Sequence, residues 1–183
     1  MPSRPSEVRL GPDTLLSDRG VFSGDRVDPG TIELLRAVPP PPAAGDLLDL
    51  GCGYGPIAVT LAQRAPGATI WAVDTNRRAV ELMGKNAARL GLGNIRAMTP
   101  EEAPPELRFA SIWSNPPIRI GKEALHQLLL DWLGRLTPDG RAYLVVHKHL
   151  GGDSLADWLT AAGHGASKLA SRKGYRILDV APR

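Results

Sequence analysis

The sequence predicts an α/β fold: a doubly wound, seven-stranded, mostly parallel sheet with helices on both faces and a C-terminal antiparallel hairpin. Three observations lead there. Short apolar runs alternate with segments of helical periodicity through most of the chain, the pattern of parallel strands joined by crossover helices. The run Asp46-Leu47-Leu48-Asp49-Leu50 passes directly into Gly51-Cys52-Gly53-Tyr54-Gly55-Pro56-Ile57, a strand that turns on alternating glycines into a helix. Asp74 closes a second apolar run 23 residues after Gly51, where an open α/β sheet presents an acid at its ligand edge.

The elements follow in order. Residues 1 to about 13 are rich in Pro, Ser and Arg, and loose order is expected there. Residues 15–30 hold no helical or strand period and read as a surface connection, in which Phe22 is a large apolar group that needs cover. Thr31 to Val38 reads as a short helix with Ile32 and Leu35 inward, ended by Pro39-Pro40-Pro41-Pro42. Leu47 to Leu50 is the first buried strand. Pro56 opens a helix to Ala65, since proline suits a first turn whose N–H has no partner. Ala68 to Asp74 is the second strand. Asn76 caps a helix that runs through Val80, Met83, Ala87 and Leu90 to Gly91. Asn94 to Met98 and Phe109 to Asn115 are the third and fourth strands.

Lys122 to Leu136 is amphipathic, with Leu125, Leu128, Leu129, Trp132, Leu133 and Leu136 at helical spacing. Thr137-Pro138-Asp139-Gly140 is turn chemistry, and Arg141 to His147 is the fifth strand. Asp153 or Ser154 caps a last helix to Ala162. Ala166 to Pro182 reads as two strands around Lys173-Gly174.

Composition narrows the function classes. At 183 residues the chain suits one domain with a sizeable core. No apolar run reaches the roughly 18 residues of a membrane span, and the first residues read as neither signal nor transit peptide. A single cysteine, Cys52, excludes an intrachain disulfide and a cysteine metal site, so a reducing, cytoplasmic setting is expected. The histidines His147 and His149 have no third ligand nearby in sequence, and no metal is expected. The net charge of +3 suits a polyanion without requiring one. Aromatic residues make up 5%, too few for a platform of stacking rings. Trp113, Trp132 and Trp158 fall in regular elements and are expected in the core, and Cys52 is expected to fill a tight turn.

Two constellations carry chemistry. Asp74 can accept hydrogen bonds from two ribose hydroxyls, or it can cap the helix that follows, a task Asn76 can also perform. Asn115-Pro116-Pro117-Ile118 follows the fourth strand at the sheet edge where ligands bind. An amino group on an aromatic ring is a poor nucleophile because its lone pair is delocalised into the ring. The Asn115 side-chain oxygen and the Pro116 carbonyl can accept its two N–H hydrogens and turn the lone pair towards an electrophile, with the prolines holding the geometry. The alternative is a rigid turn with no further role. Arg119 and Lys122, just beyond, read either as phosphate contacts or as solvated charges. So does the cluster Lys168, Arg172, Lys173 and Arg176.

With these residues in hand, the chain resembles the class I S-adenosylmethionine-dependent methyltransferases, a Rossmann-like fold. More narrowly it is similar to the methyltransferase-small domain of ribosomal small-subunit RNA guanine-N2 methyltransferases and their archaeal single-domain relatives. The resemblance rests on Asp49 to Ile57, Asp74, Asp18-Arg19-Gly20-Val21-Phe22-Ser23 and Ser114 to Lys122. It implies that Gly51, Gly53 and Gly55 line the methionine part of the cofactor and that Asp74 holds its ribose. Asp49, Thr75, Met98 and Asn115 complete the cofactor set. Phe22 and Ser23 would close over the mouth, Asn115 and Pro116 would hold the target amino group, and Pro117, Ile118, Arg119 and Lys122 would meet the substrate.

Residues 1–30 would then form an extension and mouth loop, and 31–183 a single S-adenosylmethionine-binding domain. Related enzymes often stack an aromatic residue on the base after the prolines. Ile118 offers apolar contact only, which disfavours adenine-N6 and protein-glutamine substrates. The implied partner is ribosomal RNA or a ribosomal subunit, met by a monomer or homodimer. Bacterial members carry two tandem domains, so recognition by one domain is expected to draw on a partner copy. The alternatives are another amino substrate or a silent fold that only binds RNA.

Overall fold

A computed structural model describes residues 5–22 and 25–183. Its main sheet has seven strands: β3 (Ala44–Leu50), β4 (Gly67–Val73), β5 (Ile95–Met98), β6 (Phe109–Ser114), β7 (Leu136–His147), β8 (Ala166–Arg172) and β9 (Tyr175–Val180). Their order is β5-β4-β3-β6-β7-β9-β8, with the first five parallel and β9 antiparallel to both neighbours. The chain winds outward from β3 through β4 to β5, then returns to the other side of β3 as β6. That reversal opens a crevice at the carboxyl ends of β3 and β6, the topological switch point where open α/β sheets bind ligands.

The strands are nearly continuous in apolar character because both faces are covered. Leu47, Ile70, Trp113, Val145 and Ile177 face α1 (Pro29–Ala37), α2 (Pro56–Arg64) and α3 (Arg77–Arg89) in one core layer. Their neighbours Leu48, Ile112, Leu144, Val146 and Leu178 face α4 (Lys122–Leu133) and α5 (Gly152–Ala161) in the other. Cys52, Trp113 and Trp132 are buried as expected. Trp158 is only partly buried and stacks on His126, with ring centroids 3.6 Å apart. The C-terminal hairpin turns on Lys173 and Gly174, both at positive φ, which a two-residue turn between right-twisted strands requires. No helix among the described residues is long and apolar enough to cross a membrane.

The structure departs from expectation in several places. Residues expected to be loose, together with the start of the expected surface connection, form a hairpin, β1 (Ser6–Leu10) and β2 (Asp13–Ser17). Gly11 takes positive φ before Pro12, and Val8 and Leu15 are buried in the first core layer. A two-stranded ribbon is marginal alone, and this one is held from outside. Asn86 of α3, fully buried, accepts from the Leu16 N–H at 2.7 Å and donates to the Leu16 carbonyl at 2.9 Å and the Tyr54 carbonyl at 2.8 Å.

Helix α1 begins two residues earlier than its periodicity suggests, at Pro29. Asp28 is its cap, and it buries Glu33 while Ile32 stays only partly buried. The turn residues 137–140 lie inside β7, where Leu136 pairs with Phe109 and Arg141 with Ser111. Six residues of β7, Leu136 to Arg141, therefore answer three of β6, Phe109 to Ser111. Helix α5 is capped by Gly151 rather than by Asp153 or Ser154.

Candidate active site

The floor of the crevice is the glycine turn. Gly51 and Cys52 donate their backbone N–H groups to the Val73 carbonyl at 2.8 and 3.0 Å, so the chain bends across the end of β4 as it leaves β3. Gly51, Gly53 and Gly55 all have positive φ. At Gly55 the constraint is steric as well, because a Cβ would stand 2.1 Å from the Met83 sulfur. At Gly51 there is no clash: a Cβ would stand at ordinary contact distance, 3.9 Å from Pro117 and 4.0 Å from the Asn115 carbonyl oxygen. Gly51 thus faces the Asn-Pro-Pro turn, and its positive φ rather than a clash is what favours glycine there.

Asp74 is the second wall. Its carboxylate accepts from the Gly53 N–H at 2.9 Å and from the Asn76 N–H at 2.8 Å. Asn76, not Asp74, caps α3, accepting from the Arg78 N–H at 3.0 Å. Asp74 therefore braces the glycine turn and keeps further lone pairs for a ligand. Thr75 beside it is exposed, and the Met98 carbonyl accepts the Asp74 N–H at 3.2 Å.

Asp49 lies beneath the turn, completely buried, with one oxygen accepting from the Ala58 N–H at 2.9 Å and the other unpartnered. Burial pushes its carboxyl up to about 8, against the pull of the Ala58 amide and with the Asp74 charge adding to the rise. Cys52 is also buried, and burial first, then the Asp49 and Asp74 charges, pushes its thiol well above the ordinary range. That makes it an inert filler of the turn.

The roof is the stretch Asp18 to Phe22. The nearly buried Asp18 carboxylate accepts from the Arg78 guanidinium at 2.7 and 2.9 Å. The Gly20 carbonyl accepts from the Asn76 side chain at 3.1 Å. Val21 comes within 3.9 Å of where a Cβ of Gly53 would stand. Phe22 follows with 62% of its surface exposed. Ser23, expected beside it at the mouth, lies outside the described residues.

The third wall is Asn115. Leu50 pairs with Ser114 across β3 and β6, which places Asn115 level with Gly51. Its side-chain Nδ2 donates to an Asp28 carboxylate oxygen at 2.8 Å and to the Thr31 hydroxyl at 3.1 Å. A carboxylate can only accept, so the amide's orientation is fixed by chemistry: the NH2 edge faces Asp28 and Oδ1 faces away from it. The Pro116 carbonyl accepts from the Ile118 N–H at 2.9 Å and retains a second lone pair. Pro117, Arg119 and Lys122 are exposed and Ile118 is half-buried. Beside this turn a cavity of about 220 Å³ is lined by Ile118, Lys122, His126, Val146, Leu150 and neighbouring residues.

Asp49, Gly51, Gly53, Gly55, Asp74, Asn115 and Pro116 thus converge on one crevice, with Thr75, Met98 and Phe22 along its rim. The hairpin cluster does not join them. Lys173 pairs with Glu33 at 3.3 Å and Arg176 with Asp153 at 2.8 Å. Sequence reasoning missed Asp28, Thr31, Arg78 and Asn86, and it marked Asp18 only as part of a motif, without its partner Arg78. Asp28-Pro29 did carry a signal, since an acid before a proline is a helix start.

Comparison with known proteins gives the family and the fold. A family model described as methyltransferase small domain matches residues 13–179. The uncharacterized protein YbxB of Bacillus subtilis is 36% identical over 170 residues, covering 91% of this chain and 85% of that protein. The ribosomal RNA small subunit methyltransferase C of Aeromonas hydrophila is 34% identical over 126 residues, covering 69% of this chain and 36% of its own length. Among solved structures, the T. thermophilus 16S rRNA N2 G1207 methyltransferase (RsmC) in complex with AdoMet and guanosine superposes with a TM-score of 0.80 at 27% identity. The match covers 100% of this chain and 51% of that one. The chain therefore spans about half or less of these two ribosomal RNA methyltransferases.

Proposed function

The chain belongs to the methyltransferase small domain family, and from that premise we propose that it transfers a methyl group from S-adenosylmethionine to the N2 amino group of guanine in ribosomal RNA. The proposed setting is the cytoplasm, the substrate RNA that of the small subunit, and the working form a monomer or homodimer. The observation that carries this reading is the fixed amide of Asn115 opposite the glycine turn. Its Oδ1 and the free lone pair of the Pro116 carbonyl are two acceptors on a rigid turn, the number that an exocyclic amino group has hydrogens.

Gly51, Gly53 and Gly55 would admit the cofactor's methionine part, and Asp74 and Thr75 would meet its ribose, with Met98 bordering the adenine. Asp49 would sit beneath. Bound S-adenosylmethionine supplies a methyl carbon on a positively charged sulfur, which leaves as a neutral thioether keeping the carbon–sulfur electron pair. The residues' task is alignment. Asn115 and Pro116 hold both amino hydrogens, the nitrogen lone pair forms the new bond to carbon, and the nitrogen then sheds one proton to water. Ile118 and the cavity beside it give an apolar seat to a ring, while Arg119 and Lys122 stand where flanking phosphates would pass. A base within a duplex must be extruded to reach this site.

Asn115→Ala is expected to lower transfer of labelled methyl to unmodified ribosomal RNA, naked or in subunits, by about 100-fold, in the range of losing one preorganised hydrogen-bonding group. Cofactor affinity measured by titration calorimetry should stay within about twofold. Equal loss of affinity and turnover would remove Asn115 from the transfer step.

A further inference from the structure

We infer that Asp28 and Thr31 are positioning residues for methyl transfer, acting through the amide of Asn115; this rests on the function proposed above. Oδ1 can accept an amino hydrogen only if the NH2 edge points elsewhere. Asp28 enforces that, because the flipped amide would set Oδ1 against a carboxylate oxygen now 2.8 Å from Nδ2. The Thr31 hydroxyl takes the second amide hydrogen at 3.1 Å. These contacts reach 87 and 84 residues along the chain, so β6 alone cannot set the acceptor.

Asp28 is itself held. The same oxygen accepts from the Thr31 N–H at 3.1 Å as the cap of α1. A Cβ on Gly30 would meet that oxygen at 2.9 Å and the Tyr175 ring at 2.8 Å, so glycine lets the helix start press against both. The helix is pinned by Glu33, whose buried carboxylate meets Arg36 at 3.4 Å and Lys173 at 3.3 Å. The arrangement also has an electronic consequence. As the acceptor nitrogen bonds to carbon it gains positive charge, and its N–H groups become stronger donors. A carboxylate drawing on the far edge of the amide puts more electron density on Oδ1 at that moment.

Serine and asparagine both cap helices as well as aspartate, which separates folding from positioning. Asp28→Ser keeps the cap but its hydroxyl is one bond too short to reach Asn115. Asp28→Asn keeps an oxygen at full reach. With unmodified small-subunit ribosomal RNA transcript, naked and assembled, Asp28→Ser is expected to lower kcat 10- to 100-fold. KM for RNA, cofactor affinity and the urea midpoint should remain near wild type. Asp28→Asn should recover most of kcat, and Thr31→Val should cost less than Asp28→Ser. In an Asn115→Ala background Asp28→Ser should add no further loss.

A readout independent of turnover is the 15N side-chain amide of Asn115, one of four asparagines. Its signals should move in Asp28→Ser and hold in Asp28→Asn. Wild-type kcat in Asp28→Ser, a loss additive with Asn115→Ala, or unmoved amide signals would each overturn the inference. A wild-type chain that transfers nothing overturns the proposed function instead, and the amide signals then decide the hold on Asn115 by themselves.

Discussion

Asp49 and Asn86 show how single side chains set this site. Asp49 titrates near 4 in an unfolded chain and is pushed up to about 8 by burial when folded. Between those values the folded protein holds one proton more than the unfolded one. The contribution to stability is thus fully present below about pH 4 and declines as pH rises through 8. Asp49→Asn removes the titration. Urea midpoints measured at pH 5.5 and 8.5 should fall more between the two for the wild type than for the variant, and parallel profiles would contradict the assignment.

Asn115 was legible in the sequence because strand position and the prolines both marked it. Asp28 and Thr31 were not, because nothing local to residues 28–31 reports a partner just past the end of β6. The same holds for Asn86: an asparagine inside an amphipathic helix reads as a surface residue until the loop it clamps is known.

At the scale of elements, the strand–turn–helix order was legible from apolar runs and capping residues, and α2, α3 and α4 begin where those signals put them, although α4 ends at Leu133 and Leu136 already belongs to β7. What escaped were elements stabilised from a distance. The β1–β2 hairpin buries mainly Val8 and Leu15, too little apolar surface for its alternation to stand out against charged neighbours. Its order depends on Asn86, which ties β2 and the glycine turn to α3 at once. Asn86→Ala would leave one N–H and two carbonyls without their buried partner, a loss on the order of 3 kcal/mol. Urea unfolding should show it, and hydrogen exchange should rise in residues 13–17 before the rest of the sheet. A variant as stable as wild type, with that protection intact, would show that the clamp is dispensable. The bulge in β7 has a similar origin: Thr137-Pro138-Asp139-Gly140 is turn chemistry, but the strand continues around it because Leu136 and Arg141 both pair with β6.

For the whole molecule, the fold brings together residues that the chain keeps far apart. The glycine turn, Asp74 and Asn115 meet because the winding order reverses between β3 and β6. The roof over them comes from residues 18–22, fixed by Arg78 and Asn76. The hold on the proposed amino acceptor comes from α1, seated by the C-terminal hairpin through Glu33 and Lys173. Two of the hairpin's four basic residues are thus engaged within the fold, which moves the expected phosphate contacts towards Arg119 and Lys122 at the crevice. Under the proposed function, this crevice methylates a guanine amino group. The most direct test is mass analysis of nucleosides after incubating the protein with methyl-labelled S-adenosylmethionine and, separately, unmodified small subunits, large subunits and naked ribosomal RNA. Label is expected in N2-methylguanosine from small-subunit RNA, lowered about 100-fold by Asn115→Ala. Label in another nucleoside, or none in any substrate while the cofactor binds, would contradict it.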